Sequence, residues 1–187
     1  MSASAQPVIQ ASPRPRGPIG GPAAWKGPDM DRSRNWLLHF SAQELAELDA
    51  AVRAHFAAGR EMGDITEATF QLPTLRHKLA QVLDQVIHGC GFALLRGFDV
   101  SRYSTAEAAV AYLGVGAHLG SFRSQNAKGH LLGHVRDLGL DIRQPTTRYY
   151  QTNRELEYHT DSCDIVGLLC LKTSKRSEEH TSELQSH

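Results

Sequence analysis

The sequence contains little cysteine and no surplus of charge of either sign. Its 187 residues include three cysteines, Cys90, Cys163 and Cys170, and none of them lies in a C-x-x-C pair. So small a set argues against a disulfide framework and a cysteine zinc site, and we expect buried thiols in a reducing compartment. Lys and Arg together number 20, as do Asp and Glu. This balance gives no reason to expect binding to nucleic acid or to an anionic membrane surface.

Long apolar runs are also missing. No stretch approaches the roughly 18 consecutive apolar residues that a membrane-spanning helix needs. The N-terminus lacks the charged-then-apolar pattern of a secretory signal. We therefore expect a cytoplasmic protein that is not inserted in a membrane. Hydrophobic residues nevertheless make up 41% of the chain, which is enough to bury the core of one domain.

The two ends of the chain differ in composition from its middle. Residues 1–28 are rich in Pro, Gly, Ala and Ser, so we expect a disordered arm for which Trp25 is a candidate anchor. Residues 176–186 read RSEEHTSELQS, which is identical to one translated frame of a common sequencing-adapter oligonucleotide. We therefore expect residues 176–187 to be a non-native tail, with a genuine polar tail as the alternative. Residues 29–175 would then form a partial domain.

Three segments carry the signals of helices. A capping box, Ser-Ala-Gln-Glu, at 41–44 is followed by apolar residues at the helical spacing of a buried face, Leu45, Leu48, Val52 and Phe56, and Gly59 can end that helix. Residues 74–88 repeat the apolar spacing and stop at a glycine. A second capping box, Ser-Thr-Ala-Glu, at 104–107 predicts a helix that runs to about Leu113.

Strand-like segments dominate the second half of the chain. Residues 91–97, Gly-Phe-Ala-Leu-Leu-Arg-Gly, read as a short buried strand between glycines. Further strands are predicted within 130–136, 147–158 and 164–171. Helices first and strands afterwards favour an α+β domain.

The pair His159 and Asp161 is the main candidate site. On an extended strand, residues i and i+2 point to the same side, so this imidazole and carboxylate would hold one cation, as in non-haem iron(II) sites. Alone the motif is weak, because ten His and ten Asp give about half an H-x-D by chance. Asn153 and Glu155 share the same strand parity and are candidate substrate contacts. Cys163 is an alternative ligand, although a buried thiol is the more ordinary interpretation.

Two other patterns in the sequence do not match the binding motifs that they resemble. His130 and His134 are spaced as in a zincin helix, but the Glu of the H-E-x-x-H motif is missing. On a strand these two histidines would share a face, which would allow one to line a pocket. Residues 114–120 look like a dinucleotide-binding loop, but the third glycine falls one position late and a helix precedes it.

The combination of motifs resembles the taurine-dioxygenase (TauD/TfdA) family of iron(II)- and 2-oxoglutarate-dependent oxygenases. The segment from Tyr158 to Leu171, Y-H-T-D-S-C-D-I-V-G-L-L-C-L, is similar to the stretch around the first metal motif of that family. The run C-G-F-A-L-L-R-G-F at 90–98 is similar to its G-F-x-x-L-R-G-F strand. Residues 116–120 with Gln125-Asn126 are placed like its helix, glycine and polar connection. The resemblance covers about residues 25–172.

This resemblance implies a fold and an activity. His159 and Asp161 become two of three ligands of iron(II), with 2-oxoglutarate and O2 as co-substrates and a small-molecule metabolite as the substrate that is hydroxylated. The implied fold is a clavaminate-synthase-like double-stranded β-helix, or jelly-roll, of which this chain holds the N-terminal helices and the first strands.

The family also uses groups that we do not find in the sequence. Its second ligand histidine and the arginine that pairs with 2-oxoglutarate normally lie far downstream of H-x-D. We therefore expect the 187-residue chain itself to be inactive. The alternatives are a non-catalytic jelly-roll binding module that retains H-x-D, and a structural zinc or metal-free domain in which His159 is an ordinary strand residue.

Overall fold

The computed structural model describes residues 18, 20–126, 128–144, 147–155, 159–161 and 163–173. Within them, helices and strands follow in the order α1 (Gly27–Ser33), β1 (Leu37–His39), α2 (Ala42–Ala57), α3 (Leu75–Ile87), β2 (Leu94–Arg96) and α4 (Thr105–Ala117). Single turns of 3₁₀ helix lie at Met62–Asp64, Val100–Arg102 and Tyr149–Gln151. The predicted α+β class is confirmed. No helix in this described part of the chain is long and apolar enough to cross a lipid bilayer.

Local hydrogen bonds begin α2 and α4 at the predicted positions. The hydroxyl of Ser41 accepts a hydrogen bond from the backbone N–H of Glu44 (3.2 Å), and the Glu44 carboxylate accepts one from the N–H of Ser41 (2.7 Å). Ser104 and Glu107 repeat this exchange at the start of α4, at 3.2 and 2.8 Å. Both capping boxes are therefore confirmed, and α4 continues to Ala117 instead of ending near residue 113.

Helix α3 begins with a cap that comes from another helix. The carboxylate of Glu47, in α2, accepts hydrogen bonds from the backbone N–H groups of Thr74 (2.9 Å) and Leu75 (2.8 Å). These are two of the N–H groups that the first turn of a helix leaves without an intrahelical partner. The helix predicted at 74–88 is confirmed as Leu75–Ile87, but its cap lies 27 residues upstream and leaves no local sequence signal.

The buried core lies among α2, α3, α4 and the connection that precedes α3, and α2 packs directly against α4. Its members are Leu48, Val52, Ile65, Phe70, Leu72, Leu75, Leu79, Val110, Ala111 and Leu113. The ring of Phe70 lies against the backbone of Gly114, where an added Cβ would come within 2.2 Å of it. The packing of α4 on this core therefore requires a position without a side chain.

The buried face of α2 is shifted slightly from the predicted one. Leu48 and Val52 are buried as predicted, but Phe56 is 45% exposed and His55 is buried in its place. Glu44 is also buried, and its carboxylate pairs with the ammonium group of Lys78 in α3. Positions 44, 48, 52 and 55 still follow the helical period, so the period was predictable and the rotation of the helix was not.

Strands β1 and β2 form a parallel pair, with Leu37 opposite Leu94. Parallel neighbours need a crossover connection, and the chain from α2 to α3 provides it. The strand predicted within 91–97 is confirmed at Leu94–Arg96, but the prediction that it is buried is wrong, because Leu94 is 40% exposed. The sequence predicts no strand at 37–39, since three residues are too few to display an alternating pattern.

Trp25 attaches the N-terminal segment to the domain. Its indole N–H donates a hydrogen bond to the backbone oxygen of Cys90 (2.8 Å), and its ring packs edge-on against Phe92 with 5.3 Å between centroids. Trp36 contacts the same Phe92 at 5.3 Å. The predicted anchor is confirmed, and Cys90 is buried as expected. Most of the predicted arm, residues 1–17 and 19, lies outside the described residues.

Beyond Phe122 the described chain follows an irregular path. None of the described residues within 130–136, 147–155 and 164–171 is in a strand, so the strand predictions there are wrong. Extended chain becomes sheet only when a neighbour exchanges backbone hydrogen bonds with it, and residues 163–173 make none with other described residues. Cys163 and Cys170 are exposed, so the expected burial of these two thiols is also wrong. Residues 156–158 lie outside the described residues.

Candidate metal centre

His159 and Asp161 lie in an irregular segment after the last helix. Atom Nε2 of His159 is 3.9 Å from Oδ2 of Asp161, and the two side chains are 50% and 51% exposed. The sequence predicts that the regular alternation of a strand aligns them. The structure brings the two side chains together without a strand.

The donor chemistry of this pair suits a first-row divalent metal ion. An imidazole nitrogen and a carboxylate oxygen are two of the three protein donors in non-haem iron(II) sites. Two donors about 2.1 Å from one ion and at right angles would be about 3 Å apart. The observed 3.9 Å would therefore have to shorten by about 1 Å, a movement that rotation about the side-chain torsions of half-exposed residues allows. The pair fits as two ligands of such an ion.

A third donor is not found nearby in the described chain. Among the described residues, no three His, Cys, Asp or Glu side chains converge closely enough to hold a metal ion. Asn153 and Glu155, the predicted substrate contacts, are both exposed, and Glu155 does not complete a three-donor group with His159 and Asp161. The described residues thus provide two candidate ligands and leave the rest of the coordination open.

The alternative ligands are also exposed. The thiol of Cys163 is exposed and belongs to no three-donor group among the described residues. His130 and His134 are exposed as well. The side-chain amide of Asn126 donates a hydrogen bond to Nδ1 of His130 (3.0 Å), which orients that ring within a local turn.

The segment after Asp161 makes a close contact with α4. A Cβ added at Gly167 would lie 2.8 Å from the hydroxyl oxygen of Tyr112, so the backbone passes directly over that phenol. Burial raises the pKa of the Tyr112 hydroxyl. Sequence reasoning misses this contact, because the two residues lie in segments far apart in the chain. The contact places the backbone at Gly167 against α4.

Residues 53–181 match the family described as "Taurine catabolism dioxygenase TauD, TfdA family". This range covers more than half of the chain and includes both His159 and Asp161.

Two curated proteins are similar to most of the chain. It is 31% identical over 163 residues to FR-33289 synthase of Streptomyces rubellomurinus, an alignment that covers 87% of this chain and 48% of that protein. It is 28% identical over 166 residues to taurine hydroxylase-like protein SAT17 of Stachybotrys chartarum, covering 84% of this chain and 43% of that protein. The chain therefore spans about half the length, or less, of these curated relatives.

Proposed function

The chain belongs to the TauD/TfdA family of taurine catabolism dioxygenases, and we propose that the protein it comes from is an iron(II)- and 2-oxoglutarate-dependent dioxygenase that hydroxylates a small-molecule metabolite. The observation that carries this proposal is the His159–Asp161 pair, within the range that matches the family and with donor atoms 3.9 Å apart. The names of the two relatives, a synthase and a hydroxylase-like protein, support an oxidative enzyme acting on a small molecule.

In this proposal the chain contributes two iron ligands. His159 would bind through an imidazole nitrogen and Asp161 through a carboxylate oxygen, while a further histidine and the arginine for 2-oxoglutarate are expected from sequence outside residues 29–175. Iron and 2-oxoglutarate, when bound, supply the oxygen-activating chemistry. Asn153 and Glu155 would contact the substrate, and their exposure leaves their polar groups accessible to a dissolved molecule.

The proposed fold of the whole domain is a jelly-roll flanked by the N-terminal helices. The family match supports it, together with the apolar segment 164–171 that follows the H-x-D pair. In such a fold the segment would gain a neighbouring strand, which would bury side chains that are now open, such as Leu168 at 82% exposure. We also propose that residues 1–28 are an arm and that residues 176–187 are not part of the domain.

The test uses a protein in which this segment is continued by the rest of a family domain. Supplied with iron(II), 2-oxoglutarate and O2, it should form succinate, and His159→Ala should lower that rate by at least about 100-fold, since even residues that only support a metal ligand are often worth 10–100-fold. Binding of cobalt(II), followed by its visible absorption, should weaken in parallel. His134→Ala, which alters an exposed histidine outside the pair, should change neither quantity.

Two outcomes would count against the proposal. Succinate formation that survives His159→Ala would remove the metal role of that residue. A longer protein that folds and binds a ligand but never consumes 2-oxoglutarate would favour the alternative, a non-catalytic jelly-roll binding module. The 187-residue chain alone should show no turnover, and measurable turnover would refute the expected ligand set.

A further inference from the structure

A second group of titratable side chains lines an open cleft away from the proposed iron ligands. The cleft has a volume of about 290 Å³, and its lining residues are Glu67, Arg76, His77, Ala80, Leu83 and His118. They come from the connection before α3, from α3 itself and from the residue that follows α4. Neither His159 nor Asp161 is among them, and the proposed function makes no use of this cleft.

The ring of His118 is fixed in one orientation. Its side chain is 4% exposed, and its Nε2 lies 2.8 Å from the backbone oxygen of Phe70. A carbonyl oxygen can only accept a hydrogen bond, so Nε2 carries the proton. In the neutral ring, Nδ1 is then an acceptor, and among the described residues it makes no hydrogen bond of ordinary length.

A second acceptor faces this nitrogen. The Oε1 atom of Glu67 lies 3.8 Å from Nδ1 of His118, too far for a hydrogen bond. Two acceptors cannot satisfy each other while the imidazole is neutral. A donor group placed between them can bond to both, at about 2.9 Å from each. An ammonium group is suited to this position, because it is positively charged and has three donors.

The rest of the lining indicates what the ammonium group is attached to. Arg76 also lines the cleft, and its guanidinium group would pair with a carboxylate on the ligand. Ala80 and Leu83 add a small apolar wall. A metal ion is a poorer fit, because no three His, Cys, Asp or Glu side chains converge here or elsewhere in the described residues.

We propose that this cleft binds a small aliphatic zwitterion of the α-amino-acid class. Its ammonium group lies between Glu67 and Nδ1 of His118, its carboxylate pairs with Arg76, and its apolar side chain rests on Ala80 and Leu83. Glu67 is exposed to 69%, so solvent screens its charge and the affinity is modest, with a dissociation constant of about 1 mM.

The experiment titrates the 187-residue chain with three probes and follows the imidazole nitrogen resonances by NMR. The probes are L-leucine, 4-methylpentanoate, which lacks the ammonium group, and 3-methylbutylamine, which lacks the carboxylate. L-Leucine should shift the His118 resonances and bind at least about tenfold more tightly than either truncated probe, the factor expected for one charge-assisted interaction.

Variants separate the two charged contacts. Glu67→Gln should remove the preference for L-leucine over 4-methylpentanoate, and Arg76→Gln should remove its preference over 3-methylbutylamine. Both positions are exposed, so both variants should fold. Arg136→Gln, a matched change at an exposed arginine outside the cleft, should leave all three affinities unchanged.

The proposal is overturned if the three probes bind equally or not at all. It is also overturned if zinc(II) alone shifts the His118 resonances in a Glu67-dependent way while L-leucine does not, because the cleft would then be a metal site. Neither result bears on succinate formation by the longer protein, so failure of this proposal is distinguishable from failure of the proposed dioxygenase function.

Discussion

The helical part of the chain, 37–122, and the irregular part, 123–173, differ in what they bury. Every fully buried aliphatic or aromatic side chain among the described residues lies between Leu48 and Leu113. In the irregular part, large apolar side chains stay exposed, including Val135, Leu138, Leu140, Val166, Leu168 and Leu171. Helices satisfy their own backbone groups and can pack at once, whereas strands need a neighbour first.

The same contrast applies to the two pairs formed by a histidine and a carboxylate. His118 and Glu67 are 3.8 Å apart, and the imidazole is buried on the helical core with its Nε2 bonded to a backbone oxygen. His159 and Asp161 are 3.9 Å apart, but both are half exposed. Contacts with the core fix the imidazole of the first pair. The second pair depends for its final geometry on packing that the described residues do not provide.

The largest expected difference in stability is between two leucine-to-alanine substitutions, one in each region. Leu79→Ala removes a side chain that is 0% exposed and should lower the free energy of unfolding by about 2–5 kcal/mol, because it leaves a cavity in the core. Leu168→Ala changes a side chain that is 82% exposed and should cost less than about 0.5 kcal/mol. Urea unfolding measures both, and equal losses would mean that 163–173 is packed in solution.

A smaller effect concerns the pH dependence of stability. Burial alone would raise the pKa of Glu44, but hydrogen bonds from Lys78 and Ser41 outweigh it and hold the pKa below the ordinary value of 4.5. A carboxylate with a lowered pKa stabilises the fold above that ordinary value, and the stabilisation is lost as the pH falls through the lowered pKa. Glu44→Gln should therefore cost about 1.5–3 kcal/mol near neutral pH and progressively less below about pH 4.5.

The control for this prediction lies in the irregular part. The guanidinium group of Arg143 lowers the pKa of Asp141 through hydrogen bonds of 2.6 and 2.9 Å. Because that pair is exposed, solvent screens it, and Asp141→Asn should leave the unfolding curve unchanged at every pH. If Glu44→Gln lowered the free energy of unfolding by the same amount at every pH, the lost interaction would depend on the shape of the side chain and not on its charge.

The smallest expected effect is the difference in stability between alanine substitutions at two glycines. Gly114→Ala places a methyl group within 2.2 Å of the ring of Phe70. An approach this close to a buried ring falls in the upper part of the range for overpacking, about 2–3 kcal/mol, and is partly offset by about 1 kcal/mol of better helix propensity, so a net loss of about 1–2 kcal/mol is expected. Thermal or urea unfolding would detect it.

Gly133→Ala serves as the matched change in the irregular part. An added Cβ at that position meets nothing within 4 Å, and the result should range from no change to about 1 kcal/mol of stabilisation through the unfolded state. If Gly114→Ala proved equally harmless, the Phe70 ring would have to move freely within the core, and the distinction between a fixed and an open region would weaken.

Much of the helical part could be predicted from the sequence because its signals are local. The capping boxes at Ser41 and Ser104 act over three residues, and the apolar period of α3 is visible within thirteen. The strands of the second half could not be predicted in the same way. An alternating or apolar segment such as 164–171 has strand character only when a partner lies beside it.

The sequence by itself determined where the helices begin, that a histidine and an aspartate would stand two residues apart, and that the chain carries TauD/TfdA motifs. Only the tertiary structure decided that Glu47 caps α3, that the side chain of His55 is buried, and that the backbone at Gly167 lies against Tyr112. It also decided that Glu155 does not join a three-donor group among the described residues. Local signals act through hydrogen bonds a few residues apart, whereas these contacts join distant segments whose meeting depends on how the whole core packs.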